Sequence, residues 1–350
     1  MSFASAKLAY LEKQNPPHLD QVAGLLAHTL SEQHGIYFLA RMMQALAVLQ
    51  DFKGRSTQEL EKFNEDKQAR LVRIIREFGD AEPATPLRQT DIRIVASTTP
   101  NAFTVHEPDD SYGIAFDDAL YDMLTILTMA AVAAFNARDL QVYSRFCFHV
   151  FQLYFLAPNP SIVADYEQLA TMYTGMERPL QAMIGDVRDT CSRFIVAHEA
   201  AHIALGHFKT DKAAVYRFQP DLQATEISAF DYACEFEADA WAANLLLRLA
   251  AGNTRAEIAT IQTPPLLMTF LAHLGTLGEG MAILSDKLRE RHPPEDQRRA
   301  KLRAAATRNS LGRSDRPDLI LQIGDFMAQM DSPLSPEARA DLRASLKKSS

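Results

Sequence analysis

The chain carries His198-Glu199-Ala200-Ala201-His202, two histidines four residues apart with a glutamate beside the first. On a helix, residues four apart stand one above the other, so two imidazoles at this spacing can converge on a single metal ion. Glu199 is then within reach of a water on that ion and can take its proton. The chemistry open to this set is hydrolysis: a Lewis acid polarises a carbonyl, a water attacks it, and a carboxylate carries the proton.

The flanking residues decide whether the pattern is more than a coincidence. Phe194, Ile195, Val196 and Ala197 precede it, Ala200, Ala201, Ile203, Ala204 and Leu205 continue it, and Gly206 supplies a stop signal. A helix this apolar is buried, and buried polar side chains need partners. A metal ion would satisfy them together.

A catalytic zinc takes three protein ligands and keeps one position open. Downstream, residues 231–247 read DYACEFEADAWAANLLL. Ala233, Phe236, Ala240, Ala243, Leu246 and Leu247 recur at helical spacing as an apolar face, and Glu235 and Asp239, four apart, share another. Glu235 is the expected third ligand. Asp239 is expected to accept the free ring N–H of a ligand histidine and so fix its tautomer. Glu237, about 200° around the helix from Glu235, is expected in solvent. Glu226 is the rival third ligand, but it lies in a polar, proline-containing stretch with no carboxylate one turn away. Two imidazoles and a carboxylate favour zinc over other divalent ions.

A metzincin needs a glycine three residues after His202 and a histidine three beyond that, where this chain has Leu205 and Phe208. His207 is therefore not a ligand of that type and is expected near a helix C-terminus, where positive charge is favourable. Cys147, Cys191 and Cys234 show no C-x-x-C spacing. They are expected as buried thiols in a reducing compartment, not as a metal site or a disulfide framework.

HEAAH followed by EFEAD (235–239) resembles the gluzincin peptidases that include the HtpX heat-shock protease and the CAAX prenyl endopeptidase. Residues 101–120, NAFTVHEPDDSYGIAFDDAL, are similar to that family's Asn-Ala-Phe segment and the strand that leads into a helix. Residues 291–302, RHPPEDQRRAKL, are similar to its His-Pro-Pro stretch with an arginine a few residues on. The resemblance implies that His292 and Arg298 lie near the cleft, one of them stabilising the oxyanion formed when water attacks a peptide carbonyl. It implies an edge strand that binds the substrate backbone by main-chain hydrogen bonds. It spans roughly residues 90–305, with gaps, and departs from the family in two ways. About 70 residues, from Tyr121 to Cys191, separate the strand-and-helix segment from the zinc helix, and the transmembrane helices of the membrane members are missing. The chain also resembles, more loosely, the phage-exclusion proteases.

Composition fits an ordinary globular core: 350 residues, 47% hydrophobic and 23% charged. A net charge of −8 gives no basic surplus for nucleic acid. Lys287 to Arg308 is locally basic, but Glu290, Glu295 and Asp296 interrupt it, so a solvated helix face is expected. The first residues, MSFASAKLAYLEKQNPP, lack the apolar run of a signal peptide. The longest apolar stretch, Met123 to Phe135, is well short of the roughly 20 residues of a membrane span. It is expected as a core helix, in a cytoplasmic protein without a membrane span.

The elements that must position these residues follow from periodicity. Two helices are expected between Val22 and Leu49, broken near Gly35, then a charged amphipathic helix over Thr57–Phe78 and a linker over Ala81–Leu87. Strands are expected at Asp91–Ser97 and Tyr112–Phe116. Helices follow at Asp117–Asn136 and Leu140–Leu156, the aromatic residues of the second packing in the core. Ser161–Met176 and Arg178–Arg188 then lead into the zinc helix. Pro264 and Pro265 are expected to precede an apolar helix through about Leu277, and Ser332–Leu346 to form a last one, with Ser335 as its cap and Pro336 in its first turn.

The fold class expected is mainly α (α+β): a helical zincin-like metallopeptidase core with a small β-sheet beside the zinc helix. Residues 1–85 form an N-terminal helical region, 86–305 the zincin-like domain with a helical insertion at about 121–190, and 306–350 a C-terminal helical tail. The function expected is a zinc-dependent endopeptidase acting on a protein or peptide, with His198, His202 and Glu235 on the metal and Glu199 as general base. The alternatives are a non-catalytic zinc-stabilised binding protein that uses residues 121–190 as its interaction surface, or a protease with a single intracellular target in stress response or phage defence.

Overall fold

The computed structural model describes residues 57–95, 102–106, 109–155, 169, 171–209, 214–218, 225–229, 232–280, 293–310 and 319–330. The helices expected between Val22 and Leu49 and over Ser332–Leu346 lie outside these residues, as do most of Ser161–Met176 and His292.

The described chain is mainly helical with a small sheet. Helix α1 (Thr57–Ala81) buries Leu71, Ile74, Ile75 and Phe78, a three- and four-residue spacing that puts them on one stripe. A short 3-10 turn, Pro86–Gln89, occupies the expected linker. Strands β1 (Asp91–Val95), β2 (Ala102–His106) and β3 (Tyr112–Asp117) form a sheet of order β1-β3-β2. β3 is central, parallel to β1 and antiparallel to β2, and buried along its whole length, so its residues run apolar without alternation. The outer side of β1 is capped by one side chain. Gln68 on α1 donates to the Ile92 carbonyl at 2.7 Å and accepts from the Ile94 amide at 2.8 Å, as a neighbouring strand would.

Helices α2 (Asp118–Ala137) and α3 (Leu140–Phe155) follow, joined at Arg138, where φ is 54°. Residues 123–135 lie in α2 and are core, with Leu124, Leu127, Ala130 and Ala134 fully buried. Tyr143 and Phe146 of α3 are also fully buried. Among the described residues, no helix is long and apolar enough to cross a membrane.

Helix α4 (Arg178–Ala204) carries the HEAAH pattern at its C-terminal end. The expected helix over 178–188 and the helix carrying HEAAH are one continuous element. Ile184, Val187, Cys191 and Phe194 bury at uninterrupted helical spacing, so nothing ends the helix between them. Pro179 occupies its first turn, and Gly206 ends it with φ 68°, a left-handed conformation that only glycine takes freely.

A hairpin of β4 (Ala214–Phe218) and β5 (Thr225–Ala229), absent from the expected elements, connects α4 to α5 (Tyr232–Ala250), and β5 lies against β2. The apolar face expected on α5 is corrected. Ala233 and Ala240 are exposed, and the buried face is the one with Glu235, Ala238, Asp239, Ala242, Leu245 and Leu246. α5 packs against α4 through this face, with Glu235 and Asp239 meeting His198 and His202.

Helix α6 (Thr254–Gly280) starts earlier than expected and runs through Pro264 and Pro265. Asn253 caps it, its Oδ1 accepting from the Ala256 amide at 3.1 Å. Each proline costs a helix roughly 3 kcal/mol. Burying Leu266, Leu267, Met268 and Phe270 offsets this, at about 1.5–3 kcal/mol per side chain. Helix α7 (Glu295–Ser310) exposes Asp296, Gln297, Lys301 and Arg308 on the expected solvated face and buries Arg298, Leu302 and Ala306, at successive four-residue steps, on the other. α8 (Leu319–Met327) completes the described fold. One cluster of buried apolar side chains runs from Leu71 and Phe78 through α2, α3 and α4 to Ile320 and Met327.

Candidate metal centre

α4, α5 and α7 meet at a group of polar side chains inside this core. His198 and His202 come from α4 and Glu235 from α5. All three are buried, and the nitrogens and carboxylate oxygens they offer lie within 4.8 Å of one another. His198 Nε2 stands 3.2 Å from His202 Nε2 and 3.3 Å from Glu235 Oε2, and His202 Nε2 stands 3.7 Å from Glu235 Oε1. Donor atoms about 2.1 Å from one tetrahedral ion are separated by about 3.4 Å, and each histidine nitrogen lies near that distance from the other and from one of the two Glu235 oxygens.

Each histidine's other ring nitrogen is engaged. His198 Nδ1 is 3.0 Å from Asp239 Oδ1. Asp239 is in turn gripped by Arg298, whose Nε donates to Oδ2 at 2.8 Å and whose Nη2 donates to Oδ1 at 2.6 Å. Arg298 Nη1 also lies 3.8 Å from Glu235 Oε2. His202 Nδ1 is 2.8 Å from Nδ1 of His207. His198 Nδ1 thus sits on a carboxylate and His202 Nδ1 on a second imidazole, which turns both Nε2 atoms toward each other and toward Glu235.

The electrostatics favour one positive charge here. Burial disfavours a charged His198, but the hydrogen bonds to Asp239 and Glu235 outweigh it and raise its pKa to about 10. His202 is held well below its ordinary value, first by burial and then by the neighbouring His198. Burial opposes ionisation of Asp239, yet the Arg298 hydrogen bond and charge hold its carboxyl below the usual range. The donors therefore accommodate a single cation next to one neutral imidazole, and they could hold a metal ion in its place.

Glu199 follows His198 on α4 and is only partly buried. The Thr104 hydroxyl, on β2, lies 2.9 Å from its Oε2 and 3.1 Å from its backbone carbonyl. The expected sheet thus lies beside this helix and touches the carboxylate next to the histidines.

Of the residues singled out from the sequence, His198, His202, Glu235, Asp239 and Arg298 are brought together, with Glu199 alongside. Arg298 spends both prongs of its guanidinium on Asp239. Glu226 falls on β5 opposite Arg217. Glu237 is exposed as expected, although its Oε2 lies 3.4 Å from His207 Nε2. His207 lies three residues past the end of α4, near the helix C-terminus as expected, but not as a favoured positive charge. It is buried, and burial lowers its pKa against the opposing pull of Glu237. Thr104 and His207 are the residues that sequence reasoning missed. A glycine directly before a histidine at a helix end is a signal for a chain that folds back, and Gly206-His207 is such a pair. No local signal marked Thr104.

Compared with known proteins, the chain has no match: no family model, no curated protein and no solved structure matches it.

Proposed function

We propose that this protein is a zinc-dependent endopeptidase of the gluzincin kind, acting on a protein or peptide. The observation that carries the reading is the triangle of His198, His202 and Glu235 with a partly buried glutamate next to it on the same helix. The donor set of two imidazoles and one carboxylate suits zinc. When bound, zinc supplies Lewis acidity, lowering the pKa of a water toward 7 and polarising a carbonyl.

The chain's own residues do the rest. Glu199 takes the proton of the attacking water and hands it to the leaving amine. Thr104 holds the Glu199 carboxylate through Oε2. Asp239, fixed by Arg298, orients the His198 ring. In this reading Arg298 is a positioning residue. β2 is an edge of its sheet and carries Thr104, so an extended peptide laid along it would run past the base. Three cysteines left as free buried thiols support a cytoplasmic setting.

Purified chain, analysed for metal and assayed on an unfolded-protein or peptide library, tests the proposal. Wild type is expected to hold about one zinc per chain and to cleave. Glu199→Gln should keep the zinc and lose hydrolysis, whereas Glu235→Ala should lose stoichiometric zinc. A Glu199→Gln protein that cleaves like wild type, or a zinc-loaded wild type that cleaves nothing in the library, overturns it.

A further inference from the structure

Two ring nitrogens 2.8 Å apart, as His202 Nδ1 and His207 Nδ1 are, must have one hydrogen between them. The other nitrogen of His202, Nε2, faces His198 Nε2 at 3.2 Å and Glu235 Oε1 at 3.7 Å. A nitrogen that binds a metal carries no hydrogen, so a neutral His202 ligating through Nε2 must carry its hydrogen on Nδ1. That hydrogen then points at His207, whose Nδ1 accepts it. His207 is left with its own hydrogen on Nε2, which faces the Glu237 carboxylate at 3.4 Å.

We infer that His207 is a positioning residue for the metal site, locking His202 into the one tautomer that can bind through Nε2. The inference rests on reading His202 as a metal ligand. Several features hold His207 in this role. Gly206, at φ 68°, turns the chain back after α4 so that the ring of the fifth residue beyond His202 reaches it. The ring is only 4% exposed. Phe208, next in the chain, packs against His106 and Tyr112, with ring centroids 5.3 and 6.0 Å away. The two ligand histidines are thus oriented by different chemistry. His198 donates to an anion that is itself neutralised by Arg298, whereas His202 donates to a neutral imidazole. A second carboxylate against His202 would add a buried negative charge with no arginine to balance it, and an imidazole orients the ring without that cost.

Zinc dissociation constants, from competition with a chromophoric chelator, and long-range ¹H–¹⁵N NMR of the imidazoles test this together. Wild type is expected to show His202 protonated at Nδ1 in the zinc-loaded state. His207→Phe keeps a ring but removes the acceptor, and zinc binding should weaken about 10–100-fold. His207→Asn places a carbonyl oxygen close to where Nδ1 stands and should recover most of that loss. A zinc-loaded wild type with its His202 hydrogen on Nε2, or a His207→Phe protein with wild-type zinc affinity, overturns the inference while leaving the metal site intact. If His207→Phe does not fold, the wild-type tautomer and the His207→Asn affinity still decide. A wild-type chain that binds no zinc overturns the metal reading itself, and this inference with it.

Discussion

Thr104 and Glu199 stand 95 positions apart in the chain, and their side chains meet at 2.9 Å, joining the edge strand of the sheet to the carboxylate beside the two histidines. The hydroxyl donates to Oε2 and limits the carboxylate's rotation. A hydrogen bond to a charged group is worth about 1.5–3 kcal/mol, which corresponds to about 10–100-fold in rate if it is needed in the transition state. Thr104→Val is therefore expected to lower kcat by about that factor with zinc content unchanged, and Thr104→Ser to restore most of it. Steady-state kinetics beside metal analysis checks this. Equal kcat for Thr104→Val and wild type would show that the contact does not position the base.

Arg298 and Asp239 form a buried charge pair at the site, with contacts of 2.8 and 2.6 Å. Removing the arginine leaves the buried Asp239 carboxylate near Glu235 with His198 as its remaining cationic partner, at a cost of up to about 3–5 kcal/mol. Arg298→Ala should lose that much unfolding free energy in metal-free protein, read by urea denaturation. Arg298→Lys should recover only part of it, since an ammonium cannot reproduce the two-pronged contact. A loss below about 1 kcal/mol in Arg298→Ala would mean that the pair contributes little to stability.

His273 lies far from this chemistry and sets an acid limit on the fold. Its Nε2 donates to the Met330 carbonyl at 3.1 Å, and its Nδ1 lies 3.2 Å from the Tyr143 hydroxyl. Burial, with a smaller contribution from Arg299, lowers its pKa to about 4 against the opposing Met330 hydrogen bond. Unfolded, the ring titrates near 6.5. The folded state thus binds the proton less readily, and its stability is fully present above pH 6.5 and lost as pH falls toward 4. The loss approaches about 3 kcal/mol, because each tenfold drop in proton affinity on folding is worth about 1.4 kcal/mol. Unfolding free energies at several pH values across this window should fall in wild type and fall less steeply in His273→Gln.

α4 and α5 pack against each other and bring His198, His202 and Glu235 together. Ala238 lies between Glu235 and Asp239 on the buried face of α5 and has no exposed surface. Ala238→Leu should cost about 1–3 kcal/mol by overpacking. It should also weaken zinc binding, because any separation of the helices draws the two Glu235 oxygens away from His198 Nε2 and His202 Nε2, which they approach at 3.3 Å and 3.7 Å. A variant that loses stability but binds zinc as wild type does would show that the site tolerates helix displacement.

Parts of this structure are legible without coordinates, and the failures are instructive. The strand at 91–95 and the helix over 118–137 carry their periodicity in the sequence, and the strand at 112–117 is legible as a short run before that helix. β2 does not, because it is an edge strand with four of its five residues buried and shows no alternation. The buried face of α5 escapes the pattern for a related reason. Periodicity reports which residues are apolar, and here the face that packs contains alanines and two carboxylates whose partners lie on other helices.

The sequence by itself determines the ligand spacing within each helix. The rise and turn of an α-helix fix where residues four apart lie, so His198 with His202, and Glu235 with Asp239, are set by local geometry alone. Only the tertiary structure decides what stands against them. Arg298 on Asp239, His207 on His202 and Thr104 on Glu199 are contacts across a turn or between separate elements. They depend on how closely α4 packs against its neighbours and on the left-handed turn at Gly206, and no periodicity along the chain encodes either distance.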